Sequence, residues 1–256
     1  MTTQLTACNW LTCPQPKPKA RLRLFCFPCA GATVTAYRTW INKLPQEVEI
    51  YLVQLPGRGS RLNEKPFTKL SDLVQTLVPI LQPNLNIPFA FFGHSLGALL
   101  SFEIACQLRR QNCPSPVYLF TCCSPAPQKP NLNPPIHTLP TTPFLTQLRD
   151  RYNGIPLSIS RDRELMQLFL PSLRADMEML ETYCYQPEKP LECPISAFGG
   201  WQDLAVCSCD LAEWCDRTCS FFTLRMFPGN HFFLHNNTST FLQVLYQQLS
   251  QLCNFK

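Results

Sequence analysis

Gly93-His94-Ser95-Leu96-Gly97 stands between an apolar, aromatic run and an amphipathic one. The run before it, Pro88-Phe89-Ala90-Phe91-Phe92, is short and wholly apolar, as a buried strand is. After it, Leu96, Leu99, Leu100, Ile104 and Leu108 fall on one helical stripe, with Glu103, Gln107 and Arg110 off it. Glycines on either side of a serine let the chain turn abruptly from strand to helix with no Cβ in the way. Ser95 is then pushed out over the sheet edge at the helix N-terminus. There the helix dipole and the N–H of Leu96 favour a negatively charged oxygen. A G-x-S-x-G in this strand–turn–helix context is a nucleophile elbow.

Strand and helix patterns alternate on both sides of the elbow. Residues 21–27 and 48–55 read as strands, residues 28–35 as a small-residue loop, and residues 36–44 and 69–81 as helices. Beyond the elbow helix, residues 117–122, 194–198 and 221–227 read as strands, residues 211–217 as a short helix and residues 238–252 as a closing helix. This order predicts a mostly parallel sheet covered by helices on both faces, and the elbow within it resembles that of the α/β-hydrolase fold. Residues 1–20 are polar and proline-rich and are expected to form a loose lead-in to a single domain spanning 21–256.

The alternation fails between residues 125 and 191. That span opens with seven prolines and becomes helical over residues 144–152 and 164–183, with Leu165, Leu168, Phe169, Leu173, Met177 and Leu180 as an expected buried stripe. Connections this long in a compact domain usually serve a purpose. A helical lid inserted at about 128–190 is the expectation. Leu173, Met177 and Leu180 then either line an acyl chamber or pack on the sheet.

The chain of 256 residues, 45% hydrophobic and 15% charged, suits one domain with a sizeable core. Its net charge of +5 comes from scattered Lys and Arg, which argues against nucleic acid and suits an acidic protein partner. No segment is apolar for long enough to span a bilayer and no export signal is present, so a cytoplasmic protein is expected. Fifteen cysteines is an odd count, and many lie in strand or helix patterns (Cys26, Cys106, Cys122, Cys123), so reduced thiols are expected. Cys26-Phe27-Pro28-Cys29 has no second pair, and Cys207, Cys209, Cys215 and Cys219 match no zinc spacing; no metal is expected.

A serine hydroxyl needs a base to take its proton. Of four histidines, His94 adjoins Ser95 and points away from it, and His137 falls in the proline-rich start of the lid. His231 follows a strand and a Gly-Asn turn at the sheet edge and is preferred, with His235 second. The orienting acid should lie between serine and histidine in sequence. Asp203, after a strand and Gly199-Gly200, fits that position; Asp210 competes, with a helix cap as its alternative role. The N–H of Ala30, in the small-residue loop after an early strand, is the expected second oxyanion donor beside Leu96.

Six segments carry a family resemblance: Phe27-Pro28-Cys29-Ala30-Gly31, Gln54-Leu55-Pro56-Gly57-Arg58, the elbow, Leu173-Arg174-Ala175-Asp176, residues 194–200 with Asp203, and Gly229-Asn230-His231-Phe232-Phe233-Leu234. In this order they resemble the type II thioesterases that accompany polyketide synthases and nonribosomal peptide synthetases. The resemblance implies hydrolysis of acyl groups from the phosphopantetheine arm of carrier proteins, clearing misprimed or stalled chains. It implies Ser95 as nucleophile, His231 as base, Asp203 as orienter, a monomer, and no cofactor beyond the arm that the partner carries. Acyl transfer, cyclisation, a general carboxylesterase and a non-catalytic carrier-binding scaffold remain as alternatives. The chain departs from the family at Ala32, where a second glycine is usual, at Gly59-Ser60-Arg61, where acidic residues are, and at Leu204, where proline is common.

Overall fold

The computed structural model describes residues 9–152, 163–236 and 238–254. Seven strands form one sheet: β1 (Leu11–Thr12), β2 (Leu22–Phe27), β3 (Val48–Val53), β4 (Phe89–His94), β5 (Tyr118–Cys122), β6 (Ile195–Gly200) and β7 (Phe222–Phe227). Their spatial order is β1-β3-β2-β4-β5-β6-β7, and only β1 runs antiparallel to its neighbour. The elbow strand β4 lies at the centre and is buried at all six positions, which is why it reads as a continuous apolar run.

Side chains of β2 show the two-residue period directly. Leu22, Leu24 and Cys26 enter one core, Phe25 and Phe27 the other. Helices α1 (Leu70–Leu81) and α2 (Leu96–Arg110) cover the second face through Leu73, Leu77, Leu100 and Ile104. Tyr37, Trp40 and the closing helix cover the first. The region expected to be helical over residues 36–44 is instead a 3-10 helix, Val34–Trp40, whose N-terminus is capped by Thr33.

The lead-in is not loose throughout. Leu11 and Thr12 pair with Val53 and Leu52, and buried Trp10 lies under the Arg61 guanidinium, 3.6 Å from its ring centroid. One apolar pair inside a polar stretch suffices to seat an edge strand, and its flanking composition concealed it.

The insertion contributes α3 (Thr141–Tyr152) and α4 (Arg163–Glu181). Leu173 and Met177 join Ile136, Phe144 and Leu148 in a small core internal to these helices. Phe169 and Leu180 are half-buried, whereas Leu165 and Leu168 are exposed, at 48% and 51%. Met166, not these two leucines, continues the stripe back from Leu173 through Phe169. The chain continues with α5 (Ser208–Ala212), the short α6 (Phe233–Asn236) and α7 (Thr238–Asn254). Among the described residues no helix is long and apolar enough to cross a membrane.

Most described cysteines are free thiols, and burial pushes Cys106 up to about 12, so no reactive thiolate forms there. Cys26 and Cys29 are likewise buried. The expectation of reduced thiols fails at Cys207 and Cys209, which form a disulfide and are thereby removed as thiolate ligands. Parity counting carries no signal for a bridge between residues two apart.

Candidate active site

Ser95 sits at φ 53°, ψ −116° between β4 and α2, a conformation that costs about 1–3 kcal/mol for a residue with a Cβ. The turn is held by contacts only glycine permits. A Cβ on Gly93 would lie 2.2 Å from the Gly97 carbonyl oxygen, and one on Gly97 only 2.1 Å from the Phe27 carbonyl oxygen. The second approach also brings the 27–32 loop, with Ala30, against the elbow.

His231 follows β7 on a turn in which Gly229 takes φ 118°. Its ring is buried, and Nδ1–H donates to Asp203 Oδ2 at 2.8 Å. The other carboxylate oxygen of Asp203 accepts the N–H groups of Ala205 (2.9 Å) and Val206 (3.3 Å). Both oxygens of a fully buried carboxylate are therefore engaged. The acid and base loops are also joined through their backbones. Gln202 N–H donates to the Gly229 carbonyl at 2.9 Å, across an approach so close that a Cβ on Gly200 would meet it at 2.3 Å.

The elbow and the histidine loop meet through His94. Its Nε2 is 2.9 Å from the His231 carbonyl oxygen, which can only accept, so Nε2 carries the proton. Among the described residues Ser95 Oγ makes no hydrogen bond to His231; such pairs commonly tighten only when substrate aligns them. His94 thus sits where its position predicted, beside the serine yet turned from it. Asp210 caps α5, accepting the Cys207 N–H at 2.9 Å, and His235 is exposed on α6. His137 is bound to Glu181 within the insertion, at 2.6 Å.

Two neighbours carried no signal in sequence. Tyr152, the last residue of α3, stands edge-on to His231 with ring centroids 5.1 Å apart, so the insertion reaches the candidate base directly. Cys123, at φ 48°, brings its thiol within 4.8 Å of ligand atoms of Asp203 and His231. Pairing of Tyr152 with His231 depends on where the insertion lands, and periodicity says nothing of that.

Burial, reinforced by the neighbouring His231, holds the His94 pKa well below its usual 6.5. The unfolded chain protonates this histidine below pH 6.5 while the folded chain does not, so stability falls as pH drops below that value. His94→Gln, which keeps a donor for the His231 carbonyl, is expected to lose less stability than wild type between pH 7.5 and 5.5. The difference should be on the order of 1 kcal/mol, read from urea unfolding at the two pH values. Equal losses would show that His94 titrates normally in the fold.

The model of the thioesterase domain matches residues 22–249. The chain belongs to the thioesterase family. It is 40% identical over 241 residues to the gramicidin S biosynthesis protein GrsT of Aneurinibacillus migulanus, covering 94% of each chain. Among solved structures it matches RedJ, a thioesterase from the prodiginine biosynthetic pathway in Streptomyces coelicolor. The TM-score is 0.85 at 37% identity, over 92% of this chain and 94% of that one. The type II thioesterase BorB from the borrelidin biosynthetic cluster matches with a TM-score of 0.83 at 31% identity, over 94% and 96%. Ser95, the His231–Asp203 pair and the Ala30 loop lie together at one end of the sheet, the loop against Gly97 and the pair joined to the elbow through His94.

Proposed function

We propose that this thioesterase hydrolyses acyl thioesters from the phosphopantetheine arm of carrier proteins, clearing misprimed or stalled chains in polyketide and nonribosomal peptide assembly. The observation that carries the proposal is the buried His231–Asp203 pair joined to the elbow serine's neighbour in a chain of this family. The roles of GrsT, RedJ and BorB in gramicidin S, prodiginine and borrelidin biosynthesis support the carrier-bound substrate.

In this reading His231 Nε2 takes the Ser95 proton as Oγ attacks the thioester carbonyl. Asp203 holds the imidazole in the required tautomer and stabilises the imidazolium. The carbonyl oxygen becomes an oxyanion, met by the N–H groups of Leu96 and Ala30. Collapse expels the phosphopantetheine sulfur, which leaves with the proton from His231. Water, deprotonated by the same histidine, then attacks the Ser95 ester and releases the free acid. Residues of the insertion, Tyr152 first among them, cover the base and act as a lid. The enzyme works as a monomer in the cytoplasm and needs no cofactor of its own.

The test is release of free acid from acyl-loaded carrier protein, followed by mass spectrometry, against simple esters of the same acid. Faster release from the carrier is expected. Turnover of esters with none of carrier thioesters would contradict the editing role and leave a general esterase. An amide or lactone product would make the enzyme a transferase or cyclase.

A further inference from the structure

Asp176 is completely buried on the inner side of lid helix α4, yet it binds two segments of the hydrolase body. Its Oδ1 accepts Nη2–H of Arg58 at 2.7 Å, and its Oδ2 is paired with Nη1 of the same guanidinium. Oδ2 also accepts the backbone N–H of Gly31, at 2.7 Å. Gly31 is the residue after Ala30, whose N–H is the second oxyanion donor in the mechanism above. The carboxylate of a lid helix therefore reaches the loop on which transition-state charge is expected to fall.

The local geometry makes this contact decisive for the loop. Ala32 N–H donates to the Cys29 carbonyl at 3.0 Å, closing a turn with Ala30 and Gly31 at its centre. Gly31 takes φ 73° there, the left-handed region that suits glycine in the third position of such a turn. The bond to Asp176 ties the Gly31 N–H, and with it the position of the turn that carries Ala30, to helix α4. The same face of α4 closes over the turn. Phe169 and Leu173, seven and three residues before Asp176, lie where a Cβ on Gly31 would sit, at 2.5 and 3.1 Å. Arg58 keeps the carboxylate compensated, and its own loop returns to the same place: Gln54 receives the Val34 N–H at 3.3 Å and donates to the Arg58 carbonyl at 3.0 Å.

Resting on the hydrolytic reading above, we propose that Asp176 is a positioning residue for the reaction: it anchors the 29–32 turn at Gly31 and so holds the adjoining Ala30 N–H in place, and the oxyanion hole is complete only while the lid helix is docked. The lid then covers the acyl group and also assembles the group that stabilises its tetrahedral intermediate. An unloaded enzyme with a raised lid lacks one of the two donors.

The experiment removes the acceptor without stranding a buried charge. In the double variant Arg58→Met with Asp176→Leu the ion pair becomes apolar, an exchange that buried pairs often tolerate. Hydrolysis of a p-nitrophenyl ester is followed, since an oxyester needs the same oxyanion hole whether or not carrier proteins are the natural substrate. Ser95→Ala establishes beforehand that the elbow serine does the chemistry. The double variant is expected to lose on the order of 10²-fold in kcat with KM changed by less than about 3-fold. Affinity for an alkyl trifluoromethyl ketone, which forms a tetrahedral adduct, should fall by the same factor. Arg58→Met with Asp176→Asn, which restores an acceptor for Gly31 without the ion pair, should recover most of the loss. Wild-type kcat and ketone affinity in the double variant would overturn the proposal. So would a change confined to KM, or no recovery with Asn. If the apolar pair does not fold, Asp176→Glu keeps the charge on Arg58 and displaces the carboxylate from Gly31. It should show the same kcat loss, and unchanged kcat there would equally overturn the proposal.

Discussion

Ser95→Ala is expected to lower kcat for acyl release by about 10⁶-fold, the loss seen when a working triad loses its nucleophile. Without Oγ no acyl-enzyme forms and the remaining groups have nothing to activate. The fold should survive intact. Ser95 occupies its positive φ through the close approaches of Gly93 and Gly97, none of which involves the hydroxyl. Ser95→Gly should be inactive too, yet more stable than wild type by about 1 kcal/mol, because glycine relieves the backbone strain. Loss of activity with gain of stability would mark this residue as retained for chemistry. Steady-state kinetics on an acyl carrier and thermal unfolding of the three proteins provide the comparison. Retention of more than a hundredth of the rate by Ser95→Ala would place the nucleophile elsewhere.

Asp203→Asn is the second large effect, expected to cost about 10⁴-fold in kcat. Asn presents either an acceptor or a donor to His231 Nδ1. The two N–H groups of Ala205 and Val206 already claim one side-chain oxygen. The amide NH₂ is therefore turned toward the histidine, which must then carry its proton on Nε2, the atom that should receive the Ser95 proton. The variant should fold, since the side chain keeps its shape, and KM should change little. A loss below about 10-fold would show that Asp203 only packs against His231. Asp210, the competing acid in sequence, is committed to capping α5, and Asp210→Asn should leave kcat unchanged.

Much of this was legible because the informative residues act locally. Gly93, Ser95 and Gly97 impose one backbone path wherever a strand precedes them and a helix follows. The alternation at Leu22, Leu24 and Cys26 against Phe25 and Phe27 is written in steps of two. Asp203 and His231 were separable from Asp210 and His235 because each follows a strand and a glycine-containing turn, which places it at the sheet edge. What failed lacks local expression. Trp10 and Leu11 seat an edge strand through contacts with Arg61 and Val53, some forty or more residues away. Leu165 and Leu168 have the right residue type, but the helix turns them outward, since the stripe facing inward is set by Met166, Phe169 and Leu173. The packing of Tyr152 on His231, and the reach of Asp176 to Gly31, follow from how the insertion docks. Leu-Arg-Ala-Asp was recognisable as a family segment, yet nothing in those four residues tells that the last of them accepts a hydrogen bond from Gly31.

Acyl groups are expected to pass from a carrier arm through Ser95 to water. Rapid quenching of the wild-type enzyme with acyl-loaded carrier protein, followed by peptide mapping by mass spectrometry, would follow that passage. The acyl mass should appear transiently on the peptide containing Ser95, and then as free acid at the rate the carrier is unloaded. Unloading of the carrier with no acyl group ever found on that peptide would contradict it.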